Sequence, residues 1–148
     1  MYSPRTWAYH LSMAYWLVKA DPSEYSWDHL MRDGETDWNG VRNFQARKFL
    51  NAMAVGDPVL MYHTEDDREI VGIAEVVNAA IPDRTAEEGE WVSVRLKAVK
   101  PVGRTLTLDE IRNTAGLSIM PLVEQPRLSV MSVTPAQWEA ILKYTKTV

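Results

Sequence analysis

Trp38-Asn39-Gly40-Val41-Arg42-Asn43-Phe44-Gln45-Ala46-Arg47 places a flat indole, a turn glycine, two guanidiniums and three side-chain amides within ten residues. The stretch runs directly into a periodic segment. Ala46, Phe49, Leu50 and Met53 stand at i, i+3, i+4 and i+7, which predicts an amphipathic helix with one apolar stripe. Arg42, Asn43 and Arg47 fall at the start of that helix. Unpaired backbone N–H groups and the positive end of the dipole there favour an anion or a ring carbonyl. An indole offers a face for stacking, and an Asn amide donates and accepts at once, as a base edge requires. Each residue alone also has an ordinary structural use: a Trp in the core, an Asn as helix cap, arginines in solvent. Taken together, those uses leave many planar polar groups in one place.

Working outward, Tyr15 to Lys19 reads as a short strand ended by Asp21-Pro22. Ser26 is the expected N-cap of a brief helix through Trp27, Leu30 and Met31, stopped by Gly34. Beyond the central helix, Gly56-Asp57-Pro58 makes a turn and residues 59–63 a strand. Glu65 to Arg68 form a polar hairpin loop, with a return strand over 70–77. Gly72 within that strand predicts a bulge or a close backbone approach. Pro82 to Glu90 reads as an acidic loop, and Trp91 to Val99 alternates as a half-buried strand. Thr107 with Glu110, and Thr134 with Gln137, are capping boxes, the second with Pro135 at the first helical position. Pro121 and Pro126 bracket a connection, and residues 127–133 read as a last strand before a helix with Trp138, Ile141 and Leu142 on its core face. Five or so strands interrupted by short helices predict an α+β domain on a small curled sheet.

Composition narrows the function. The 148 residues carry no cysteine, which excludes disulfides, thiolate nucleophiles and cysteine-ligated metals. A net charge of −4, from 16 Lys and Arg against 20 Asp and Glu, excludes broad duplex binding, so any nucleic-acid contact must be local. No apolar run reaches the ~20 residues of a membrane span. Residues 1–13 lack a signal-peptide core and are expected to be a loose N-terminal leader before a single domain over 14–148. His63-Thr64-Glu65 matches half of the base-deaminase signature, but the Pro-Cys-x-x-Cys half is missing. Zinc-hydrolase, phosphate-loop, nucleophile-elbow and dinucleotide patterns are absent. No metal or cofactor is expected.

Several blocks together resemble the EVE domain. These are Trp16 to Pro22, Trp38 to Arg47, Gly56-Asp57, Tyr62-His63-Thr64, Val71 to Val76, Pro82-Asp83 and Arg127 to Val130. They fall in that family's order from about Tyr15 to Leu142, and the Trp-x-Gly-Val-Arg-Asn-aromatic-Gln-Ala-Arg block is the most specific of them. The resemblance implies a PUA-like fold, a curled β-barrel of five to six strands flanked by short helices and related to YTH domains. It implies a non-catalytic module that binds a modified nucleobase in DNA or RNA through an aromatic pocket. It also implies nuclease or RNA-modification partners; the absence of cysteine fits a cytoplasmic protein, and a monomer is expected.

Carried over residue by residue, Trp38 is the expected stacking wall and Asn43 the reader of the base edge. Lys19 with Arg42 or Arg47 is expected at phosphate or a base carbonyl. Tyr62 and His63 form another wall, and Ser129 closes the pocket; Val41 and Arg127 complete the set. Ala20 stands where many relatives carry a hydroxyl, Ser132 where a proline often follows, and the loop from Pro82 to Trp91 is short beside eukaryotic relatives. Two alternatives stand beside this reading: an enzyme acting on a nucleotide or RNA end through His63 and a nearby carboxylate, and a sensor of a free nucleoside. Grouping of Lys19, Arg42 and Arg47 at one pocket mouth distinguishes a polymer ligand from a small one.

Overall fold

A computed structural model describes residues 14–148; the leader expected over residues 1–13 lies outside the described residues. The element order is β1 (Tyr15–Ala20), α1 (Trp27–Asp33), β2 (Glu35–Trp38), α2 (Phe44–Ala52), β3 (Pro58–His63), β4 (Glu69–Pro82) and β5 (Val92–Thr107). Then follow α3 (Leu108–Arg112), α4 (Pro121–Glu124), β6 (Val130–Val133) and α5 (Pro135–Tyr144). The strands form one six-stranded sheet in the order β2-β5-β4-β3-β1-β6. Pairing is antiparallel except between β1 and β3, whose connection contains α1, β2 and α2.

The curl follows from what α2 touches. In a flat sheet β5 and β6 would stand roughly 19 Å apart, four strand spacings. A helix about 10 Å across packs against both, so the sheet wraps around it. Ala46, Leu50 and Met53 supply the buried stripe, as their spacing predicts. The sheet is buried through its centre, where every residue of β3 is buried and Leu17, Val18, Ile70 and Ile73 are fully covered.

Helix boundaries follow their caps. Ser26 accepts from the His29 amide at 3.1 Å while His29 Nδ1 accepts from the Ser26 amide at 2.9 Å, a capping box built with histidine. Thr107 with Glu110, and Thr134 with Gln137, complete their boxes in the same way. Gly72 meets both expectations. The pairing register shifts on either side of it, and a Cβ there would lie 2.4 Å from the Trp27 ring. Trp27 packs flat against the sheet at that one gap, which no residue with a side chain leaves open.

Several strand limits differ from the sequence reading. β5 runs on to Thr107 through Pro101, because bulges in its partner β4 absorb the missing donor. β4 likewise extends to Pro82. β2 was not expected; its Glu35, Thr36 and Asp37 are polar because it is an edge strand, and Arg95 on β5 holds it through Glu35 and Asp37, both at 2.8 Å. β6 is shorter than expected, beginning at Val130, although the Ser129 carbonyl still accepts from the Lys19 amide at 3.0 Å. The Pro121 connection contains the one-turn helix α4.

Candidate nucleobase site

The ends of β1 and β2 and the loop after β2 enclose a hollow of about 440 Å³. Trp38, the last residue of β2, is 9% exposed and lines it, with Tyr25 set edge-on at 6.2 Å between ring centres. Lys19, Val41, Arg42 and Ser129 line it as well. Five of the ten residues expected at the site are therefore brought together. Within the described residues no protein group accepts a hydrogen bond from the Trp38 indole N–H, which is not sealed from solvent, and none engages the Asn39 side-chain amide beside it.

The loop that follows Trp38 is held by Asp83. Gly40, at φ +78, turns the chain so that its N–H donates to Asp83 Oδ2 at 2.8 Å. Arg42 Nη1 donates to the same oxygen at 2.9 Å and to the Val41 carbonyl at 3.0 Å. Thr85 donates to Oδ1 through its amide at 2.8 Å and its hydroxyl at 2.6 Å. The Asp83 side chain is fully buried. Burial by itself raises its pKa; the hydrogen bonds from Thr85, the Gly40 amide and Arg42 outweigh it and hold the carboxyl well below the usual range.

Lys19 is committed in part. Its Nζ donates to the Pro126 carbonyl at 2.8 Å and lies 6.0 Å from the centre of the Tyr62 ring, and burial lowers its pKa. Lys19 and Arg42 thus share the hollow, whereas Arg47 leaves it. Arg47 Nη1 donates to the Glu90 carbonyl at 3.1 Å and its guanidinium lies 5.1 Å from the Trp91 ring centre.

Besides Arg47, four more expected residues lie elsewhere. Asn43 is the N-cap of α2, its Oδ1 accepting from the Ala46 amide at 2.8 Å. With Arg127 it lines a separate shallow groove that includes Gln45 and Gln125. The ordinary cap geometry turns it away from Trp38. Tyr62 and His63 are buried in β3 and do not line the hollow. His63 Nε2 accepts from the Trp27 amide at 2.9 Å, and its Nδ1 faces Asp67 Oδ2 at 3.0 Å. Both ring nitrogens are thus engaged, and His63 secures the start of α1. Sequence reading missed Tyr25, Asn39 and the role of Asp83. The Asp83-x-Thr85 spacing, an Asx-turn pattern, was the available signal for the last.

The EVE domain family model matches residues 14–144. This chain belongs to the EVE domain family. Mouse thymocyte nuclear protein 1 is 29% identical to this EVE domain, over 90% of this chain and 74% of that protein. A protein of Rhodopseudomonas palustris solved by NMR superposes with a TM-score of 0.86 at 40% identity, covering 92% of this chain and 95% of its own. The crystal structure of human THYN1 protein in complex with 5-methylcytosine-containing DNA superposes at 0.84 with 26% identity, covering 92% and 99%. A YTH domain from Zygosaccharomyces rouxii, 14% identical at a TM-score of 0.60, shares the fold. The PUA-like expectation is thereby met: the EVE domain is a mixed α+β unit with one curled sheet. None of the helices among the described residues is long and apolar enough to cross a membrane.

Proposed function

We propose that this EVE domain binds one modified nucleobase, unpaired or turned out of a nucleic-acid strand, in the hollow walled by Trp38, and performs no chemistry on it. The observation that carries the reading is the open indole. A buried Trp ordinarily finds a partner for its N–H. Trp38 has no protein acceptor for that donor and leaves it open to solvent, while the residue lines a cavity of about 440 Å³, within the usual range for small ligands. Family membership supports the choice of ligand, since human THYN1 protein is seen with 5-methylcytosine-containing DNA.

The roles then distribute by geometry. Trp38 stacks on the base, worth about 1–3 kcal/mol for such contacts. Asn39, with its free amide at the lip, reads the base edge in place of Asn43. Lys19 and Arg42 meet ring carbonyl or phosphate, and the Asp83 network keeps the loop in place without rearrangement on binding. Extruding a base costs a few kcal/mol, which the stack and the polar contacts offset.

The test is titration of the purified protein with a panel of short oligonucleotides, DNA and RNA, each carrying one modified or unmodified base, alongside the free nucleosides. Selective binding of one modified oligonucleotide, weakened about tenfold to a hundredfold by Trp38→Ala, is the expected result. Equal affinity for all members, or binding insensitive to Trp38, would sink the reading. Tighter binding of the free nucleoside than of the oligonucleotide would make the protein a small-molecule sensor instead.

A further inference from the structure

Phe44 opens α2 and is 66% exposed, so it adds little to the core. One face of its ring stacks on Trp91, with centroids 5.2 Å apart and planes 26° from parallel. Trp91 is itself fixed. Gly89, at φ +87, lies so close that a Cβ there would come within 2.9 Å of the indole nitrogen. The Arg42 guanidinium sits 5.7 Å from the Trp91 ring centre and that of Arg47 4.9 Å from the Phe44 ring centre. The result is a rigid shelf of two rings and two guanidiniums. Arg42 belongs to both the shelf and the hollow, so the two are continuous.

We propose that this shelf is a second nucleic-acid contact, on which an unpaired nucleotide flanking the bound base stacks against Phe44. The proposal rests on the pocket reading above. Three features select this occupant. An exposed aromatic already backed by a second ring and a guanidinium is a stacking platform, and every base offers a face to it. Phe44, Arg47 and Lys48 stand at i, i+3 and i+4 and share one side of α2, which places positive charge where the backbone of a stacked nucleotide runs. Arg47 pairs with a carbonyl and two rings and with no carboxylate, so its charge is not neutralised.

Phe44→Ala is expected to fold as the wild type does, because the side chain is mostly in solvent. The probes are a short single-stranded DNA with one central 5-methylcytosine, a matching RNA with one N6-methyladenine, and the two free modified nucleosides. The expected result is a loss of about tenfold for the better-bound oligonucleotide with Phe44→Ala, and none for its nucleoside. Trp38→Ala weakens both. Replacing the flanking nucleotides by abasic residues should weaken the wild type to the level of Phe44→Ala and leave that variant unaffected. Lys48→Gln should lower the salt slope by about one. If Trp38→Ala weakens the oligonucleotide while Phe44→Ala leaves it unchanged, the shelf is wrong and the pocket stands; a Phe44 serving a protein partner or a second copy gives that same outcome. If wild-type protein binds neither oligonucleotide, both readings fail.

Discussion

Two corners of the molecule are built from the same pair of residue types and end differently. At the first, Trp16 in β1 donates its indole N–H to Asp57 Oδ2 at 2.9 Å, and that oxygen also accepts from the Ala54 amide at 2.9 Å. At the second, Trp38 ends β2 and Asp83 bonds the chain beside it, at Gly40 and Arg42, leaving the indole alone. Both tryptophans are buried and both carboxylates are well supplied with donors. The difference lies in what each aspartate is used for. Asp57 satisfies its tryptophan and closes a core; Asp83 fixes the backbone around its tryptophan and keeps the ring's polar edge available. An indole bonded within the core is packing, and an indole held in place with its donor open to solvent is the raw material of a binding site.

The largest effect should come from exchanging the two tryptophans' fates. Trp16→Ala empties a sealed part of the core and orphans Asp57, and is expected to cost about 3–5 kcal/mol in urea denaturation. Trp38→Ala, bordering open space on one side, should cost nearer about 2 kcal/mol and weaken selective binding about tenfold to a hundredfold. If Trp38→Ala is the more destabilising and binding is not weakened, the two corners have been assigned the wrong way round.

Asp83→Ala comes next. It strands the Gly40 and Thr85 amides and takes one of two acceptors from Arg42 Nη1, and should lower stability by about 1.5–3 kcal/mol, the range for hydrogen bonds to a charged group. Affinity should fall as well, because the loop carrying Val41 and Arg42 is released. Asp57→Ala should lower stability without changing the affinity of the remaining folded protein. Equal binding losses in both variants would erase the distinction between the corners.

Acid offers a finer probe of the same carboxylate. Asp83 has a depressed pKa when folded, so its contribution is complete above its unfolded value of about 3.9 and is lost as pH falls through the folded value. Stability should therefore decline on acidification below about pH 4, and less steeply in Asp83→Asn. Glu110, held down to about 2 by Arg104 and the Thr107 cap, behaves alike between its unfolded value and there. It lies half in solvent, so Glu110→Gln should flatten the acid limb by less than about 1 kcal/mol and leave binding untouched.

The smallest change in stability, and the sharpest contrast, is expected from two asparagines. Asn43→Asp keeps the cap and adds a negative charge at a helix start, so thermal stability should hold or rise slightly with base preference unchanged. Asn39→Asp removes two donors at the lip of the hollow and should shift preference toward bases that present an exocyclic amine. A change of preference in Asn43→Asp alone would return the reading role to that residue.

How much of this was legible depended on whether the signal was local. Caps and the α2 stripe are set by neighbours in sequence, and they stand where the residues predict; at Gly72 the missing side chain marked a close approach, but not that distant Trp27 makes it. Trp38, Val41, Arg42, Lys19 and Ser129 could be grouped through the family resemblance. Asn43 stands apart from the hollow as a helix cap, which its residue type alone could not reveal, because Asn serves a cap and a base edge equally well. His63 and Tyr62 alternate within a strand that is covered on both faces, which the short apolar run alone could not reveal. β2 escaped notice because its polar residues gain their order from Arg95, about sixty positions away.

The position of β1 in the sheet has a consequence for the order of events during synthesis. β1 sits between β3 and β6, so one of its flanks stays unpaired until residues 130–133 have left the ribosome. Ser129, which completes the hollow beside Lys19, arrives at the same late moment. A nascent chain ending before β6 therefore exposes an apolar strand edge and has no finished site. Closure by so distant a segment is a slow step of the kind that non-local pairing imposes. The module thus acquires its recognition surface only once β6 is available to hold it.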